Sequence, residues 1–151
     1  MPSFRTTKRV PHSAGNMFDL VADVERYPEF LPLCTGLRVI RRMPAGEGKE
    51  MLVAEMSVGY KAISERFTTK VTTDRPGLAI HVSYIDGPFK YLENRWEFVP
   101  VEGGGSEVRF FIDYEFRSRT LGMVMGAMFE RAFRMFTTAF ESRADLVYGR
   151  G

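Results

Sequence analysis

TLGMVMGAMFERAFRMFTTAFESRADLVY, residues 120–148, decides the architecture. Leu121, Val124, Met125, Met128, Phe129, Ala132, Phe133, Phe136 and Phe140 recur at spacings of three and four, which places them on one face of a long α-helix. Upstream, from about residue 35 to 117, the pattern changes to apolar–polar alternation, the signature of half-buried β-strands. A meander that ends in one long apolar helix predicts a sheet wrapped around that helix. The space between the two is the natural place for function.

Working outward, Ser3–Val10 alternates as a first strand. Pro11-His12-Ser13 then breaks it, and Ser13 is placed to cap a helix from Ala14 to about Val24. Tyr27–Cys34 contains Pro28 and Pro32, so a short helical turn or compact loop is expected there. Strands are predicted at Leu37–Met43, Glu50–Val58, Ala62–Thr73, Leu78–Ile85, Phe89–Val99 and Glu107–Arg117, joined by Pro- and Gly-rich turns. Short turns make neighbouring strands antiparallel. The expected class is α+β, with a curved antiparallel sheet of about seven strands in a single domain spanning residues 1–151.

Composition removes several function classes. A formal charge of +2, with Lys and Arg scattered rather than massed, gives no argument for nucleic acid as a partner, and no DNA partner is expected. Cys34 stands alone, so no internal disulfide is expected, and an apolar neighbourhood favours a buried structural thiol. MPSFRTTKRV lacks an apolar run of signal-peptide length, and no stretch approaches a membrane span. The expectation is a cytoplasmic protein, with peripheral membrane contact left open. No His, Cys, Asp or Glu pair has metal-ligand spacing, and none is assigned to a metal.

Catalytic constellations are equally sparse. His12, in a turn, and His81, on the polar side of its strand, are expected at the surface. Gly103-Gly104-Gly105 lacks the Lys-Ser/Thr of a phosphate loop, and no G-x-S-x-G elbow is present. Glu93, Arg95 and Glu97 should share an outer, solvated face with Arg109, Asp113 and Glu115. Gly122 and Gly126 are read as allowing close approach of the helix start to the sheet, and as loosening that end into a lid. No catalytic residue is assigned.

What remains is apolar surface. With 13 Phe and 9 Met, the chain is rich in large, deformable groups suited to an adaptable wall. The expected ligand-contacting set is Phe30, Leu33, Leu52, Met56, Phe67, Val82, Tyr84, Leu92, Asn94, Trp96, Phe110, Ile112 and Tyr114. From the helix it adds Val124, Met125, Met128, Phe129, Ala132, Phe133 and Phe136. Tyr84, Asn94, Trp96 and Tyr114 could orient a ligand's few polar atoms. Phe30, Leu31 and Leu33 lie where a loop could gate the space, touch a bilayer or plug the core.

Val21-x-x-Val24-x-x-Tyr27-Pro28-x-Phe30-Leu31-Pro32-x-Cys34, followed by Gly87-Pro88-Phe89-x-x-Leu92-x-x-Arg95-Trp96-x-Phe98, resembles the coenzyme Q-binding START-domain family. That family is a branch of the polyketide cyclase/dehydrase-like proteins and also contains the ribosome association toxin RatA. The resemblance spans essentially the whole chain and implies the START-like helix-grip fold. It implies non-catalytic binding of ubiquinone or a related polyprenyl lipid, as ligand rather than redox cofactor, in support of coenzyme Q biosynthesis, delivery or respiration. Two alternatives stay open. One is a RatA-type regulator of the large ribosomal subunit, contacting it through residues such as Arg41, Arg42 and Lys70. The other is a polyketide cyclase-like enzyme.

Overall fold

Ser118 opens the decisive helix: its Oγ accepts a hydrogen bond from the Leu121 amide at 3.2 Å, satisfying one of the orphan donors of the first turn. The structure, a computed structural model, describes residues 3–60 and 63–149. The C-terminal helix, α2, runs over Arg119–Tyr148, 30 residues, or about 45 Å at 1.5 Å per residue. Ahead of it lie β1 (Ser3–Val10), α1 (Ala14–Ala22), a 3-10 turn (Val24–Glu29), β2 (Cys34–Pro44), β3 (Lys49–Tyr60), β4 (Ile63–Asp74), β5 (Ala79–Asp86), β6 (Phe89–Pro100) and β7 (Ser106–Phe116). Ser13 caps α1, accepting from the Asn16 amide at 3.1 Å. The predicted start of the fourth strand at Ala62 lies outside the described residues.

All seven strands form one antiparallel sheet in the order β1-β7-β6-β5-β4-β3-β2. The first strand therefore joins the last, and β1 and β2 remain as unpaired edges. β2 carries register shifts between Cys34 and Gly36 and between Val39 and Arg41, the local twist that bulges introduce. This is the α+β arrangement that the alternation implied and the helix-grip fold that the family resemblance implied.

The inward faces of β6 and β7 meet α2 through aromatic rings. Val108, Phe110, Ile112, Tyr114 and Phe116 of β7 are all buried, as are Leu92, Trp96 and Phe98 of β6. Aromatic rings close the grip at two levels. At one end Phe89 stacks on Phe116 at 4.9 Å, and Phe129 of α2 caps Phe116 edge-on at 5.4 Å. At the other, Phe140 meets Tyr27 at 5.3 Å and Trp96 at 5.1 Å. Such pairs each add about 0.5–1.5 kcal/mol beyond area burial.

Three expectations are corrected here. Val124 was placed on the inward stripe, but it is 53% exposed, whereas Met125 is fully buried. The stripe narrows toward the first turns of α2, where Met123 is exposed as well. A Cβ at Gly122 would touch Phe116 only at ordinary distance, and one at Gly126 would meet nothing within 4 Å. The glycines are therefore not required for close approach. His12 is 5% exposed instead of lying at the surface. The last turns of α2 fold back over the Pro11–Ser13 turn, and Asp145 Oδ1 reaches His12 Nε2 at 2.7 Å, a pairing across 133 positions that local sequence does not reveal.

Candidate functional site

Between the two aromatic levels lies a cavity of about 100 Å³. β3 contributes Ala54, Met56 and Val58; β4 contributes Phe67, Thr69 and Val71; β5 contributes Ile80 and Val82. Leu92, Asn94 and Trp96 of β6 and Ile112 of β7 complete the sheet side. The middle of α2 supplies Phe129, Ala132, Phe133, Phe136 and Phe140. Val24, Tyr27, Leu31, Pro32, Leu33 and Leu37, from the 3-10 turn and the chain that follows it, line the remaining wall.

That last wall is held by a distinctive local structure. Leu33 adopts φ 68°, a left-handed conformation uncommon for a residue with a Cβ. It is held there by its carbonyl, which accepts the Gly59 amide of β3 at 3.0 Å. Next to it, Phe30 is latched onto α2. Its ring packs edge-on against Phe140 at 5.1 Å, and the Arg143 guanidinium lies 5.1 Å above it while pairing with Glu29.

The cavity's polar content is small and mostly engaged. Trp96 Nε1 donates to Asn94 Oδ1 at 3.0 Å, and Asn94 Nδ2 donates to the Phe111 carbonyl at 2.8 Å. Among the described residues, the second N–H of the Asn94 amide group has no partner. Thr69 adds a hydroxyl with no side-chain hydrogen bond among the described residues. Tyr27 and Cys34 stay neutral. Burial pushes the Tyr27 phenol up, helped by Cys34 and Asp23, and its hydroxyl donates to the Val21 carbonyl. Burial raises the Cys34 thiol to about 11, opposed by a backbone hydrogen bond at Gly36.

The structure brings Leu33, Met56, Phe67, Val82, Leu92, Asn94, Trp96, Ile112, Phe129, Ala132, Phe133 and Phe136 of the expected set to this cavity. It places the others elsewhere. Phe30 is in the latch; Leu52 and Phe110 are core; Tyr114 packs on Phe89 and Phe133; Met125 is buried and Met128 half-buried on α2. Tyr84 uses its oxygen to accept the Phe89 amide at 3.1 Å. Val124 faces away. The glycine-bearing end of α2 does not border the cavity, so the lid expected there gives way to the Leu31–Leu33 wall. Thr69 is the polar lining residue the sequence reading passed over, although period-two alternation from Phe67 placed it inward.

Ser106, His12 and Asp145 lie together without forming a nucleophile–base pair. Ser106 Oγ donates to the His12 main-chain carbonyl at 2.8 Å, not to its ring, so the nucleophile–base bond that nucleophilic catalysis requires is missing. Among the described residues, no group of three or more His, Cys, Asp or Glu could hold a metal ion, and no helix is long and apolar enough to cross a membrane.

Residues 10–141 match the family model described as polyketide cyclase/dehydrase and lipid transport. The chain belongs to that family. Within it, the likeness to the ribosome association toxin RatA of Rickettsia prowazekii is 35% identity, covering 97% of this chain and 99% of that one. Coenzyme Q-binding protein COQ10 homolog B of Xenopus laevis is 28% identical, and the alignment spans 59% of that longer protein. Among solved structures, an 18 kDa protein from Caulobacter crescentus superposes with a TM-score of 0.80 at 36% identity, covering 99% of both chains. A START superfamily protein from Mycobacterium smegmatis, 20% identical, shares the fold with a TM-score of 0.79 and 96% of this chain covered. The RatA relative is thus nearer in sequence, and matches end to end, where the coenzyme Q-binding relative does not.

Proposed function

We propose that this family member associates with ribosomes in the cytoplasm, as its RatA relatives are named for doing. The observation that carries this reading is end-to-end likeness to RatA at 35% identity. It displaces the quinone reading from first place, since the coenzyme Q-binding relative is more distant. We read the protein as a binder rather than a catalyst, consistent with neutral Tyr27 and Cys34 and an engaged Ser106. Sucrose-gradient sedimentation of the purified chain with ribosomal subunits tests it. Comigration with the large subunit at low salt is expected, and its absence would overturn the reading.

The cavity favours a second reading, compatible with the first: binding of a quinone or another polyprenyl lipid. At about 100 Å³ the space is below the ~300–1,000 Å³ of pockets that enclose a drug-sized ligand. It suits the end of an isoprenoid tail rather than a whole lipid. Burying one five-carbon unit contributes roughly 3–4 kcal/mol at about 0.8 kcal/mol per CH₂, which suffices for selective occupancy with only one or two polar contacts. Mass spectrometry of organic extracts of the purified protein tests this. An extract devoid of isoprenoid lipid, with no binding on titration, would remove it.

A further inference from the structure

On the sheet face opposite α2, the register aligns Arg5 of β1, Phe111 of β7, Arg95 of β6, His81 of β5 and Thr72 of β4 in one row. Phe111 is the anomaly in that row. Its neighbours on the same face of β7 are Arg109 and Asp113, so alternation calls for a polar residue, yet a half-buried aromatic ring stands there. The Arg5 guanidinium lies 4.6 Å from the ring centroid and that of Arg95 lies 4.8 Å from it. The three side chains form a cation–ring–cation stack.

A groove of about 420 Å³ runs alongside, bordered by Arg5, Lys49, Arg95 and Arg109 against the carboxylates of Asp74 and Glu97. Asp74 already accepts the Gly77 amide at 3.0 Å. Among the described residues, Arg5 and Lys49 have no carboxylate partner, and the contact of Arg95 with Glu93 is long at 3.9 Å. Guanidinium groups seated against a ring lose little entropy on engaging a second ligand.

Resting on the ribosome-association reading, we propose that this face is the RNA-docking surface of the protein, with unpaired bases stacking on the outer planes of Arg5 and Arg95 and phosphates held by the groove's cations. Bases stack on guanidinium planes as on aromatic rings, and unpaired RNA loops expose them. A duplex would satisfy the charges but not the stack. The apolar cavity plays no part, because it opens on the other face of the sheet.

The test uses the full chain, a fluorescent oligouridylate of about twelve nucleotides, and purified ribosomal subunits. The Arg5→Gln/Arg95→Gln double variant and Phe111→Thr are compared with Arg131→Gln on α2, with circular dichroism confirming the fold of each. Expected are oligonucleotide binding by the wild type, a loss of about tenfold or more in the first two variants, and no change in the third. Neutralising two phosphate contacts should also flatten the log–log salt dependence by about 1.4, at about 0.7 per contact on single strands. Ribosome comigration should fall in parallel. Comigration that persists in the double variant overturns the docking face and leaves ribosome association standing. A wild type that binds the oligonucleotide through these arginines but never comigrates supports the face and sinks the ribosome reading. Absence of oligonucleotide binding, or binding only of an acidic protein, overturns the proposal.

Discussion

Trp96 and Asn94, two positions apart on β6, are joined by a 3.0 Å hydrogen bond from the indole Nε1 to the amide oxygen along the cavity wall. The bond spends the polarity of both on each other and, through Asn94 Nδ2, on the Phe111 carbonyl. Asn94→Leu leaves the indole N–H without its acceptor and takes a side-chain donor from that carbonyl, costing about 1–3 kcal/mol. A lower urea midpoint is the expected reading, with an unchanged midpoint counting against the bond.

Trp96 is the chain's single tryptophan and lines the cavity. Its fluorescence therefore reports occupancy directly. Titration with a short-tailed ubiquinone should quench it saturably, and purely linear quenching would show that the cavity stays unoccupied.

Ala132 is a buried cavity-lining residue on α2. Ala132→Leu fills part of the vacant space, so stability should change by less than about 2 kcal/mol while quinone binding drops by about tenfold. Ribosome comigration should be untouched. A parallel loss of both would mean that one surface serves both activities.

Arg143 tethers the Glu29–Phe30 segment to α2, and its hydrogen bond, with help from Arg26, holds the Glu29 carboxyl below its ordinary value. A depressed acid contributes above its ordinary value of 4.5 and loses that contribution as pH falls through its lowered value. Arg143→Ala should therefore speed hydrogen exchange of the Leu31 amide at neutral pH, and acid well below pH 4.5 should weaken the same tether in the wild type. Equal exchange in both proteins at neutral pH would dismiss the tether.

The buried Cys34 thiol carries the opposite sign. Its proton is held more tightly when folded, so its stabilisation is complete below the ordinary value of 9.0 and disappears as pH rises through about 11. Wild-type urea midpoints should fall over that interval, more steeply than those of Cys34→Ala. Iodoacetamide should modify the native thiol slowly at neutral pH.

Most of the fold was legible because period-two and period-3.6 patterns are dictated by which face is buried. The inward residues of β7 follow alternation throughout, and those of β6 follow it from Leu92 onward. A register shift between Phe89 and Tyr91 brings Phe89 inward as well, and the Ser13 cap is a local signal. Contacts between distant segments were not legible. Nothing near His12 announces Asp145, and nothing near Phe30 announces Arg143. The cavity was legible only as an apolar wall. Leu52 and Leu92 carry the same hydrophobic signal in sequence, yet only Leu92 borders the vacant space, because that depends on how α2 sits. Thr69 was within reach of strict alternation but was obscured by its polarity.

The two rims of the sheet have a consequence for self-association. β2 is kinked at two bulges, bears Arg38, Arg41 and Arg42, and terminates in Pro44, while β1 bears Arg5, Lys8 and Arg9. Irregular, cationic borders repel a further strand. A chain with so much β-structure is thereby guarded against edgewise polymerisation into fibrils, and its encounters with other molecules are directed to its broad sides.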